Sequence, residues 1–286
     1  IILLLTLILL RFGLGVRAPA WAYALASLIL FVIFLPVALR TFSFYRYRIT
    51  NLLAQTRALF FFGLPMIFTD IGGKLIGYTD TLMLTYYASL SEVGIYNVVL
   101  PTALMVVFLG KSAGSVVYPL VSELWAKKDL RRLTAGLVLW YKYAFVLLIP
   151  VVGILFLFSG VFLSLFFGPA YATGAMALQI LLAGTIFYLV ASLNSHTLTA
   201  IGQAKRVTVI IFLAAVINVL LNVLLIPRYS IEGAAVATLV SYLFIFLAST
   251  WTIRKYLPLH PPLFQWGKIM FSAALFLLLS YQLNLV

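Results

Sequence analysis

Residues 56–89 read TRALFFFGLPMIFTDIGGKLIGYTDTLMLTYYAS. The stretch is longer than the roughly 20 mostly apolar residues that carry a helix across a bilayer, yet Asp70, Lys74 and Asp80 lie inside it. A charge at mid-bilayer costs about 2.5–3.5 kcal/mol on insertion scales, so such charges normally face protein or water rather than lipid. At about 100° per residue, Asp70, Lys74, Gly77 and Thr81 share one helical face, with Gly73 and Asp80 at its edge. Asp70 and Lys74 are spaced i,i+4 and can pair. Gly73 and Gly77 form a small-xxx-small pair that permits close helix contact. Pro65, near one end, marks a kink or a local break.

The rest of the chain follows the same pattern. Of 286 residues, 65% are hydrophobic and 9% charged, against about 25% charged in a soluble domain. No soluble fold of this length hides so much apolar surface. Apolar runs fall at about 1–10, 18–40, 57–87, 92–122, 134–160, 171–201, 206–227, 231–256 and 264–284. They predict an all-α, polytopic transmembrane helix bundle with about eight full spans and one partial span. Barrel strands would be short and would alternate in polarity. The chain opens with Ile1 inside an apolar run, which reads as a fragment lacking its start; no basic leader precedes the run, so a signal peptide is a poor reading.

The basic residues test this topology. Arg40, Arg46, Arg48 and Arg57 fill one gap; Lys127, Lys128, Arg131 and Arg132 another; Lys205 and Arg206 a third; Arg254, Lys255 and Lys268 a fourth. The gaps between these hold only Arg11, Arg17 and Arg228. Such alternation follows the positive-inside rule and predicts that the basic gaps are cytoplasmic, in a protein of the plasma or inner membrane. The formal charge of +13 is therefore topogenic, and it is not the clustered soluble face of a nucleic-acid binder. There is no cysteine, which excludes disulfide scaffolds, cysteine-based zinc sites and thiol catalysis. The amphipathic gap TFSFYRYRITNLLAQT, 41–56, reads as a connector at the membrane surface.

Further polar stripes lie in other spans. Asn97, Lys111, Ser115, Tyr118 and Ser122 form one, with Gly110 and Gly114 as a small pair and Pro101 and Pro119 as bending points. Thr185, Tyr188, Ser192, Ser195, His196 and Thr199 form another, and Asn218 and Asn222 lie i,i+4 in the next span. Facing one another, these helices would line a hydrated cavity. Each feature also has a structural reading: an Asp70–Lys74 pair locking helices, Lys111 paired with Asp80 or Asp70, Lys142 snorkelling, His196 bonding between helices, and the asparagines as interhelical glue. Catalysis is disfavoured. Only six acids and two histidines, His196 and His260, are present, and neither an HExxH motif, a phosphate-binding glycine loop nor a long extramembrane segment appears. No cofactor is expected.

Three stretches carry a family resemblance. LFFFGLPMIFTDIGGKLIGYTDTLMLTYYASLSEVGIYNVV, 59–99, resembles the start of the second lobe of Wzx-type polysaccharide-biosynthesis flippases, in the superfamily of multidrug, oligosaccharidyl-lipid and polysaccharide exporters. SVVYPLVSELWAKKDLRRL, 115–133, resembles that family's Pro-containing helix end and basic loop. INVLLNVLLIPRYSIEGAAVATLVSYL, 217–243, resembles its Asn-rich helix, Pro-Arg-Tyr turn and Gly-Ala-Ala helix start. The likeness runs from about Arg40 to Trp266.

The resemblance implies two pseudo-symmetric lobes of twelve to fourteen helices around a cavity. Residues 1–40 would end the first lobe, 41–56 link the lobes, 57–256 form the second lobe, and 257–286 add a C-terminal helix; the absent first helices would leave half the cavity wall missing. It implies transport of a polyprenyl-diphosphate-linked oligosaccharide to the outer leaflet by alternating access. The partners would be that glycolipid, membrane lipid and glycan-assembly proteins, with no nucleic acid. Lys74 and Lys111 suit the diphosphate, Tyr188, Ser192, Asn218 and Asn222 suit sugar hydroxyls, and Asp70 and Asp80 complete the binding set. Asp70, Asp80 or His196 could couple movement to protons. The competing reading is a drug or cation antiporter of the same superfamily, whose site should favour acids over bases.

Overall fold

The structure, a computed structural model, describes residues 2–41, 51–259 and positions 267, 268 and 272, without the side chains of 62 and 109–116. Arg46, Arg48, His260, the expected span at 264–284 and the side chains of Lys111 and Ser115 lie outside the described residues.

The all-α bundle expected from the apolar runs is present. Among the described residues eight α-helices follow one another: α1 Ile2–Arg11, α2 Ala18–Thr41, α3 Leu52–Tyr87, α4 Leu90–Ala126, α5 Leu130–Leu157, α6 Ser159–Phe167, α7 Ala175–Ala200 and α8 Ala204–Ile253. Six stretches among the described residues are long and apolar enough to cross a membrane, with α1 shorter. The chain forms two compact units, Ile1–Ala58 and Leu59–Val286. In the first, α1 packs on α2, where Ala18, Ala22 and Ala26 make a buried small-residue seam.

The second unit is organised around α7, which packs on α8, α4 and α5. Leu178, Leu181, Leu182 and Leu189 of α7 join Val99, Val106 and Val107 of α4 and Leu148 of α5 in one apolar core. Helix starts are fixed by local chemistry. Ser89 caps α4 in a reciprocal box, accepting from the Glu92 amide (3.3 Å) while its own amide donates to the Glu92 carboxylate (2.9 Å). Asp129 caps α5 by accepting from the Arg132 amide (3.1 Å).

The 50-residue α8 holds two of the expected spans. It breaks at Ser230, whose φ of 46° and ψ of −124° are not helical. Pro227 lies just before the break. A straight helix would separate residues 20 apart by about 30 Å, yet the Asn218 amide reaches the Thr238 hydroxyl at 3.4 Å. The second arm therefore folds back along the first. At the fold, a Cβ on Gly233 would meet the Leu225 carbonyl oxygen at 2.5 Å, so only glycine fits between the two backbones.

The close contact expected at Gly73 and Gly77 is corrected. Among the described residues a Cβ at either position meets nothing within 4 Å, whereas one on Gly72 would lie 2.9 Å from Ile211 Cγ2 of α8. The inward row of α3 is Gly72, Ile76, Asp80 and Leu84, one position off the row taken for the contact face. Replacing Gly73 or Gly77 by Ala should leave stability unchanged or raise it by up to about 1 kcal/mol, as for an exposed helix glycine. Gly72→Leu should cost about 1–3 kcal/mol through overpacking. Thermal unfolding of the three variants in detergent distinguishes the rows.

Candidate functional site

The core of the second unit contains one fully buried carboxylate, Asp80 of α3. It accepts three hydrogen bonds from three other segments: from the Tyr96 hydroxyl of α4 at 2.7 Å, from the Asn222 amide of the first α8 arm at 2.6 Å, and from the Thr238 hydroxyl of the second arm at 2.6 Å. Asn218 extends the set, donating to Thr238 and accepting from Asn222 at 3.1 Å. Every partner is neutral, and among the described residues no ion pair involves Asp80.

An isolated buried charge is costly unless it is paired. A carboxylate held only by neutral donors is suited to take up and release a proton or a small cation. The oxygens available are those of hard-ion chemistry: the Asp80 carboxylate, Asn218 Oδ1, Thr238 Oγ1 and Asn222 Oδ1, the last of which is buried with no hydrogen-bond partner. Among the described residues no group of three or more His, Cys, Asp or Glu could hold a transition metal.

α3 buries little beyond the Gly72–Leu84 row. Besides Asp80, its ties include a threonine contact: the Thr208 hydroxyl of α8 donates to the Pro65 carbonyl (2.7 Å) and lies 2.9 Å from the Thr69 hydroxyl. The Asp80 cluster is thus a polar latch between a sparsely packed helix and both arms of α8.

The other expected site residues fall elsewhere. Asp70 and Lys74 are exposed on the outward face of α3, and no hydrogen bond or ion pair joins them among the described residues. Their spacing permits a pair, but none is formed among the described residues; an exposed i,i+4 pair gains only about 0.3–0.5 kcal/mol, so the spacing alone does not enforce one. The same open face carries Thr81, which donates to Asn97 of α4 at 3.2 Å. Asn218 and Asn222, expected at a wet cavity wall, are fully buried: Asn222 donates to Asp80 and Asn218 to Thr238.

On α7, Tyr188 stacks on Tyr242 at 4.4 Å between ring centres, Ser192 is half-buried and His196 is exposed. Asp80 joins the asparagines in the interior, while Lys74 lies on an open face. Lys142 is exposed, with its ammonium 5.9 Å from the Tyr143 ring centre.

Tyr96 and Thr238 were not singled out from the sequence. Tyr96 lies beside Asn97 in a stretch whose polar stripe runs along the other face, and a lone threonine in GAAVATLV carries no periodic signal. A second missed cluster is structural: the Tyr141 hydroxyl donates to Asn194, whose amide donates to Ser249 (3.2 Å) and Thr250 (3.0 Å), joining α5, α7 and α8.

The helices that build the Asp80 cluster can be set against known families. A family model described as MatE matches residues 65–224, from α3 into the first arm of α8. The chain belongs to the MatE family. A second model, described as polysaccharide biosynthesis protein, matches residues 1–125. Together they place this MatE-family chain in the superfamily that its motifs resembled.

An uncharacterized membrane protein of Methanocaldococcus jannaschii is 29% identical over 84% of this chain and 48% of its own length. A probable low-salt glycan biosynthesis flippase of Haloferax volcanii is 27% identical over 66% of this chain and 40% of its own. A putative O-antigen transporter of Shigella flexneri is 27% identical over 63% and 43%. The chain thus spans about half the length, or less, of these relatives.

The lipid II flippase MurJ in its inward closed conformation shares the fold, with a TM-score of 0.74, 16% identity, and coverage of 98% of this chain and 59% of that one. An outward-facing multidrug resistance MATE transporter aligns with a TM-score of 0.55 at 18% identity over 73% of this chain and 48% of that one.

Proposed function

We propose that the full-length protein moves a lipid-linked oligosaccharide from the cytoplasmic to the outer leaflet of the cell membrane, with its basic loops in the cytoplasm, and that it is a transporter rather than an enzyme. The observation that carries this reading is the Asp80 latch. A transporter needs an element whose attachment depends on a coupling ion, because a ligand shifts a conformational equilibrium only by its differential affinity for the two states. Uptake of a proton or small cation by Asp80 changes the charge that the Tyr96, Asn222 and Thr238 donors hold, and so biases the seating of α3 on α8. The names of the Haloferax and Shigella relatives supply the cargo class.

In this reading the open face of α3 and α4 meets the cargo. Lys74, which has no ion-pair partner among the described residues, offers its ammonium to the diphosphate, and Thr81 and Asn97 offer hydrogen bonds to sugar hydroxyls. Lys111 would add a second cation, and Tyr188 and Ser192 further hydroxyls. Residues 1–40 and 57–256 would belong to successive lobes joined by 41–56.

Lys74→Ala should lower the affinity for a diphosphate-linked glycolipid by about tenfold or more, in line with about 1.5–3 kcal/mol for a charge-assisted hydrogen bond. Lys74→Arg should restore most of it. Binding of the glycolipid to the full-length protein in detergent, measured for the three forms, tests the assignment. Unchanged affinity in Lys74→Ala removes Lys74 from the cargo site. The antiporter reading predicts the reverse, tighter binding of a cationic dye once Lys74 is removed.

A further inference from the structure

A groove of about 480 Å³ runs between α4 and α5, closed at its base by Leu189 of α7. Its floor includes Val106, Val121, Leu137 and Leu148, and its rim Leu139 and Leu147. The volume falls within the range of small-molecule sites, about 300–1,000 Å³. The described lining is mostly aliphatic, with the amphipathic rings of Trp140 and Tyr143 along it and Arg132 as the charged lining residue at one end.

That end is the basic turn between α4 and α5. Lys127 is held by Glu123 at 2.5 Å, and Arg132 places Nε 3.3 Å from Asp129, which leaves the two terminal guanidinium nitrogens unused by that pair. Arg131 is exposed beside it and has no ion-pair partner among the described residues.

Gly136 explains why the groove is open. It lies within α5, where glycine costs about 1 kcal/mol relative to alanine. Neither reason that usually justifies a helix glycine applies: its φ is not positive, and among the described residues a Cβ there would meet nothing within 4 Å. It lines the groove instead. A larger residue at 136 would fill the space without touching a neighbour at its Cβ.

We propose that this groove is a binding site for one anionic membrane phospholipid, with a hydrocarbon chain lying along Gly136 between α4 and α5 and the phosphate held by Arg131 and Arg132. The described lining matches that occupant: an apolar trough whose one charged residue among those described, Arg132, lies at its end beside the basic turn. The inference does not depend on the cargo proposed above.

Purified full-length protein in detergent, titrated with phosphatidylglycerol or phosphatidylcholine of the same chains and read by native mass spectrometry, tests it. One phosphatidylglycerol should be retained per chain, in preference to phosphatidylcholine. Changing Arg131 and Arg132 to Gln should remove about fivefold of that preference per residue while leaving chain binding intact. Gly136→Leu should abolish retention of both lipids with the melting temperature held or raised, and Leu147→Trp serves as a second groove-filling variant. Undiminished phosphatidylglycerol retention in both folded filling variants overturns the proposal. So does a preference untouched by the arginine changes, or a groove that takes only a polyprenyl phosphate and no phospholipid.

Discussion

Asp80→Asn in the full-length protein is expected to reduce transport to the protein-free background while the helix bundle stays folded. The substitution keeps the shape of the side chain and one oxygen acceptor. The Tyr96 and Thr238 hydroxyls that now donate to Asp80 can rotate to accept instead, so a new amide N–H finds a partner. What is lost is the charge, and with it the group that takes up a proton or cation. Asp80→Leu separates this effect from the structural one. It leaves the Tyr96, Thr238 and Asn222 donors unpaired in the interior, at about 1–3 kcal/mol for each buried group, and should destabilise the protein outright. Thermal unfolding compared with transport for the two variants checks both: Asp80→Asn should be folded and inactive, Asp80→Leu poorly folded. An active Asp80→Asn would reduce the cluster to structural glue.

The second large effect is expected at Gly233. Alanine there places a methyl group 2.5 Å from the Leu225 carbonyl oxygen and 3.0 Å from the Ile226 amide nitrogen. Both are backbone atoms at the fold of α8, with no rotamer to yield. Overpacking against movable side chains costs about 1–3 kcal/mol, and a backbone clash should exceed that range. Because the two arms carry Asn222 and Thr238, separating them also dismantles the Asp80 cluster. Gly233→Ala should therefore yield little folded protein in a detergent size-exclusion profile. Ser230→Gly, at φ 46° in the same fold, should be neutral or gain about 1 kcal/mol by relieving a strained conformation. A normal yield of Gly233→Ala would show that the α8 arms can separate without loss.

Much of the fold is legible in the residues because lipid imposes a simple rule: a span is a long apolar run. The two arms of α8 were separable at Pro227-Arg228-Tyr229 because a turn between spans must carry polar residues and a helix breaker. The face of α3 was harder. Of its polar row, which looks inward by composition, Asp70 and Lys74 lie outward and Thr81 is half-buried, because Gly72 lets Ile211 approach and Asp80 is drawn to donors on α4 and α8. A single helix shows which residues share a face, but not which face its neighbours occupy. The asparagines illustrate the same limit. Their i,i+4 spacing places them on one side of α8, but the carboxylate that Asn222 meets lies more than a hundred residues earlier in the chain.

The most direct measurement uses the full-length protein in sealed vesicles containing a fluorescent diphosphate-linked oligosaccharide lipid, following its exposure to an external glycosidase over time. Wild-type protein should transfer the glycolipid well above protein-free vesicles, with transfer lost in Asp80→Asn and slowed in Lys74→Ala. Transfer no faster than in empty vesicles, together with movement of a cationic dye by the same preparation, would contradict a glycolipid flippase and favour a drug antiporter.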